Sequence, residues 1–120
     1  MRSVLDQIIA NRAGVLMLLS AAAFMEAWGD SYFQSALHRS SGMTRVLFFA
    51  AGAVVLSLYG LLVNTAPWDF GKLLGVYVVL FFLVAQVVAR VRFHQQPTPH
   101  IVVGGLLIVA GGIIISFSKT

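Results

Sequence analysis

The chain has 120 residues, of which 59% are hydrophobic and 10% charged. That is too apolar for a water-soluble domain of this size, so a single membrane-embedded domain over residues 1–120 is expected. The net charge of +4 comes from eight Lys and Arg scattered between apolar runs, a distribution that fits loops of a polytopic protein and excludes nucleic acid as partner. With no cysteine there is no disulfide framework or thiol chemistry. His38, His94 and His100 have no metal-ligand spacing, so neither a metal nor a cofactor is expected.

Residues 1–12 are mixed. Val4, Leu5, Ile8 and Ile9 fall on one helical face, as in a short interfacial helix or the start of the first span. Arg2, Arg12 and Ala21-Ala22-Ala23 imitate a signal peptide, but three further apolar runs follow.

The first span is expected over residues 13–37, slightly longer than the ~20 needed to cross a bilayer. Its first half is apolar all round. Its second half carries Glu26, Asp30 and Gln34 along one stripe, at i, i+4 and i+8. The chain has four acidic residues, Asp6, Glu26, Asp30 and Asp69, and two of them lie within this span. A charge near the bilayer centre costs about 2.5–3.5 kcal/mol on insertion scales, so an intramembrane acid is a candidate site. Glu26 can also be read as a protonated, purely structural hydrogen bonder, and Asp30 as an interfacial residue that caps or pairs with Arg39 or His38.

His38-Arg39-Ser40-Ser41-Gly42 has turn chemistry. The second span is expected over 44–64, with the small-residue patch Ala50-Ala51-Gly52-Ala53, and Asn64-Thr65-Ala66-Pro67 ends it. The third is expected over 68–89. Asp69 should lie in its first turn, where a negative charge suits the helix dipole, with Lys72 snorkelling or pairing with it. Gly71 and Gly75 are spaced for close helix contact or a bend. Arg90, Arg92, His94 and the run Gln95–Pro99 read as a loop. The fourth span, 101–117, carries Gly104, Gly105, Gly111 and Gly112. The pairs are seven residues apart, so they share a stripe suited to close packing, within the chain or in a dimer.

Four spans put both termini and the second loop on one side, with Arg2, Arg12, Lys72 and Lys119. The opposite side carries Arg39, Arg45, Arg90 and Arg92. Four against four gives no positive-inside bias, which predicts insertion in both orientations and an antiparallel dimer.

With the Glu26 stripe, the charge balance and the fourth-span glycines in hand, the chain resembles the small multidrug resistance superfamily over about residues 14–118. Glu26 sits within a small-residue run and is followed by Gly29, as the family's proton- and substrate-binding glutamate is placed. Gly71-Lys72-Leu73-Leu74-Gly75-Val76-Tyr77-Val78 is similar to the start of the family's third helix, nearest to the YnfA-type branch. Pro97 followed by Gly104-Gly105-Leu106-Leu107-Ile108-Val109-Ala110-Gly111-Gly112 resembles the helix that dimerises. Unlike many drug exporters, the chain has no tryptophan within the apolar run of its third span, and Asp30 is an additional acid.

The resemblance implies an all-α, four-span transporter, not an enzyme, in a bacterial inner membrane. It would work as an antiparallel homodimer, or as a heterodimer with a paralogue, and exchange protons for a small organic cation at Glu26. Asp30 would extend the site toward the aqueous mouth. Trp28, Tyr32 and Tyr77 would offer cation–π faces. Two other readings stand beside it. One is a lipid or lipid-linked-sugar flippase subunit, with Lys72, Arg90 and Arg92 on a phosphate headgroup. The other is a non-transporting membrane interaction protein.

Overall fold

The computed structural model describes residues 4–8 and 10–119. Ile9 of the expected N-terminal apolar face and Arg2 of the charge balance lie outside them. The described residues are all-helical: α1 (Val4–Ile8), α2 (Arg12–His38), α3 (Gly42–Val63), α4 (Phe70–Phe93) and α5 (Pro99–Ser116). The last four are each long and apolar enough to cross a membrane, which makes this a multi-pass membrane protein.

Local chemistry sets the helix ends. Asn11 accepts a hydrogen bond from the Gly14 N–H at 2.7 Å and so caps α2 at Arg12. Gly42, at φ 61°, supplies the left-handed turn that enters α3. Asp69 is the N-cap of α4, outside its first turn, and its carbonyl receives the Leu73 N–H at 2.8 Å. α4 continues four residues past the expected end at Ala89, because a helix can carry Arg90 and Arg92 beyond the apolar layer. It stops where His94 turns left-handed at φ 56°. Thr98 caps α5 by accepting from the Ile101 N–H, and Pro99 occupies the first helical position, where its missing N–H breaks no bond.

The spans stand side by side in the order α3, α2, α4, α5, and the molecule is flattened, with Cα extents of 48 × 43 × 20 Å. Tyr77 meets Glu26 and Arg92 meets Ser35, so α2 and α4 run parallel. The core lies between α2, the end of α3 and the first half of α4. It comprises Val15, Leu18, Leu19, Ala22, Ala23, Val63, Leu73, Val76 and Tyr77, with Ala66 of the loop after α3. The small side chains of α2 let both neighbours approach it. At Gly52 of α3 an added Cβ would lie 3.1 Å from the Gly29 carbonyl oxygen and 3.0 Å from Phe33, so the two helices approach closely there.

α5 packs on α4 alone among the spans. The structure divides its glycines. A Cβ at Gly105 would fall 2.7 Å from Phe82, and one at Gly112 would fall 1.9 Å from Val79, whereas Gly104 and Gly111 face open space. Of the two packing roles open to these glycines, Gly105 and Gly112 serve the seam within the chain. Of the expected Gly71/Gly75 pair, only Gly75 is in contact, with Ile115. Two cations fasten the far end of α5. Arg12 donates to the Ser116 carbonyl at 3.3 Å, and Lys72 Nζ donates to the Ser118 carbonyl at 2.8 Å. Carbonyls at a helix C-terminus lack intrahelical donors and carry partial negative charge, so cations suit them. Lys72 also lies 4.4 Å from the centroid of the Trp68 ring. Its contacts are therefore with Ser118, just past the end of α5, and with Trp68; of the two expected roles, snorkelling or pairing with Asp69, the pairing is not formed.

Candidate functional site

Glu26 sits at the middle of α2, with roughly 20 Å of helix on either side at 1.5 Å per residue. Its side chain is half-buried. The Tyr77 hydroxyl, carried on α4, donates to Glu26 Oε1 at 2.7 Å. Tyr77 is itself in the core and can move little, because its ring is stacked between Tyr59 of α3 at 5.8 Å and Phe81 at 6.1 Å. Three helices thus converge on one carboxylate: α2 carries it, α4 donates to it, and α3 holds the donor in place. No Lys, Arg or His pairs with Glu26 among the described residues.

Asp30 follows one turn later and is exposed. It lines an open cleft of about 350 Å³ between α2 and α4 with Gln34, Phe81 and Gln95. The stripe Glu26, Asp30, Gln34 therefore lies on one face of the layer, running from a held carboxylate to an open cleft whose polar lining is Asp30, Ser31, Gln34 and Gln95. Asp30 does not pair with Arg39, which lies 4.6 Å from the Phe93 ring centroid and makes no ion pair among the described residues.

Trp28 is elsewhere. Two residues on from Glu26 is about 200° around a helix, so Trp28 points to the opposite face of α2. There its Nε1–H donates to Tyr32 Oη at 2.9 Å, and it stacks on Phe24. The structure thus brings Glu26 and Tyr77 together and sets Asp30 beside them, but it separates Trp28 and Tyr32 from the acids of the same chain. Tyr59 was not expected as part of the site. Its signal in the sequence is a hydroxyl-bearing aromatic in an otherwise apolar span, which does not tell a ligand-positioning residue from a helix–helix contact.

No group of three His, Asp or Glu among the described residues is placed to hold a metal ion. What the arrangement offers is two carboxylates without a basic partner among the described residues, Glu26 held by Tyr77 and Asp30 beside it. A carboxylate in an apolar span, lacking a resident cation, can take up either a proton or an incoming cation. Compared with protein-family models, curated proteins and solved structures, the chain matches none of them.

Proposed function

We propose that the chain is a small membrane transporter that exports a cationic small molecule in exchange for protons, as an antiparallel pair of copies with Glu26 at the shared site. The observation that carries this reading is the Glu26 carboxylate itself: mid-span, on an open face, oriented by Tyr77 and without a basic partner among the described residues. A salt-bridged acid would be closed to an incoming cation; Glu26 has only the Tyr77 hydroxyl, and a protonated, purely structural hydrogen bonder would release no proton when a cation is added. An acid left available makes proton and cation mutually exclusive occupants, which is the simplest coupling device for an antiporter.

A single layer of helices covers the acid from one side only. A second copy facing it would complete a cavity holding two Glu26 side chains. The balance of four basic residues against four supports insertion in both orientations, and hence an antiparallel pair, or a pairing with a paralogue. Transport would proceed by rocking of the two copies about a fixed site. The bacterial inner membrane is the compartment such a compact chain fits.

The flippase reading is the weaker one. Two of the three basic residues it needs are engaged: Lys72 with the Ser118 carbonyl and Arg90 with Gln96. A non-transporting interaction protein would tolerate Glu26→Gln and would need a partner for stable expression.

The test is proton release from purified, detergent-solubilised protein when guanidinium, a polyamine or a quaternary ammonium is added. Release near neutral pH that disappears in Glu26→Gln supports the proposal. No release with any of these cations, in folded and dimeric protein, refutes it.

A further inference from the structure

The face of α2 opposite Glu26 carries a second cation-binding arrangement. The guanidinium carbon of Arg92, on α4, lies 5.4 Å from the Trp28 ring centroid, 5.1 Å from that of Tyr32 and 5.6 Å from that of Phe48. These rings come from α2 and α3, so three helices meet at one positive charge. Rings within about 6 Å of a cation attract it through their negative faces.

The box does not need Arg92 in order to form. Trp28 Nε1–H donates to Tyr32 Oη at 2.9 Å, and the Tyr32 and Phe48 rings meet at 5.8 Å. Arg92, by contrast, is poorly provided for. Its one hydrogen bond is from Nη2 to Ser35 Oγ at 3.0 Å, and its Nε is buried with no acceptor. No carboxylate pairs with it among the described residues. A guanidinium with five donors is thus held by ring faces and one hydroxyl, which is poor provision for a structural ion pair and ample for a removable occupant.

We propose that Trp28, Tyr32 and Phe48 form a binding site for guanidinium and small alkylammonium groups, and that Arg92 is its tethered occupant, competing with a free cation. The three rings are half-buried rather than sealed, so a cation arriving from the membrane surface has access once Arg92 withdraws. The site is separate from Glu26 and does not depend on the transporter reading. Its effect would be to report cation concentration as a change in whether the end of α4 is pinned to α2 and α3.

The experiment uses the full chain carrying Glu26→Gln and Asp30→Asn, which silence the acid face, and Trp68→Phe, which leaves Trp28 as the one tryptophan. Guanidinium is titrated while Trp28 emission is followed, with urea as the uncharged molecule of the same shape. A tethered competitor raises the concentration needed for binding, so adding Arg92→Ala should lower the guanidinium midpoint by about tenfold or more. Phe48→Leu placed on top should reverse the gain, and urea should give no saturable response. An unchanged midpoint in Arg92→Ala, or an equal response to urea, overturns the proposal. If Arg92→Ala fails to fold, the Arg92 Nε–H signal is followed by NMR in the chain that retains it. Movement toward its solvent position on adding guanidinium supports displacement, and a signal that stays fixed at saturating guanidinium refutes it.

Discussion

Gly112→Ala and Gly111→Ala make the same chemical change one residue apart, and the α4–α5 seam predicts opposite outcomes. A Cβ at Gly112 lies 1.9 Å from Cγ2 of Val79 and 3.2 Å from its Cβ, where carbon contacts settle at about 3.5–4.0 Å. Either the helices separate or Val79 rotates, and a β-branched side chain in a helix has one strongly preferred rotamer. Overpacking of this kind costs about 1–3 kcal/mol. A Cβ at Gly111 meets nothing within 4 Å. In a bilayer α5 stays helical when it undocks, so helix propensity cancels and Gly111→Ala should fall within about 0.5 kcal/mol of the parent. The difference corresponds to roughly 5- to 150-fold in the docked population of α5. The chain has no cysteine, so cysteines introduced at the exposed positions Val87 of α4 and Val103 of α5 can carry spin labels without competing sites. Distance distributions measured through an SDS titration would give the docking equilibrium. Equal destabilisation by the two alanines, or none from Gly112→Ala, would refute the assignment of Gly105 and Gly112 to the seam.

A double-mutant cycle on Tyr77→Phe and Glu26→Ala should give a coupling of about 1–3 kcal/mol in the same unfolding assay; additive effects would mean that the 2.7 Å bond carries no energy. Leu19→Ala removes a side chain with no exposure and should destabilise by about 2–5 kcal/mol, and a loss below 1 kcal/mol would contradict a core centred on α2. Asn11→Ala removes the cap on Gly14 and should cost about 1 kcal/mol. It would be seen as faster hydrogen exchange of the first amides of α2 with no change at its centre.

Much of the fold was legible because bilayer crossing is decided by length and apolarity, both of which are local. Turn chemistry at Gly42, Pro67 and Pro97 bounded the spans to within a few residues. The third span extends past Ala89 because a helix can carry Arg90 and Arg92 beyond the apolar layer, where charge alone suggests a loop. The stripe of Glu26, Asp30 and Gln34 followed from helical periodicity alone. The same periodicity puts Trp28 on the other face; grouping it with Glu26 used nearness in sequence where angle decides. Which helix occupies the centre of the layer was not legible, nor was Tyr77 as the donor to Glu26 across 51 residues. Both depend on how small residues on α2 receive neighbours whose own sequences do not name their partner. The Arg92 box is hidden for the same reason, since its rings and its cation come from three spans.

The row of helices α3, α2, α4, α5 has two edges and two faces, and these lead to different kinds of assembly. Joining through one face consumes the same surface on both copies. It is self-complementary about a twofold axis and ends at two. Joining the outer side of α5, with its open Gly104 and Gly111, to the outer side of α3 uses unlike surfaces, and each added copy exposes a fresh α3 or α5. Unless the rotation happens to close a ring, that geometry propagates in the plane of the membrane as a ribbon. For copies that do associate, what covers the exposed apolar edge of α5 would decide whether growth stops at a pair or continues.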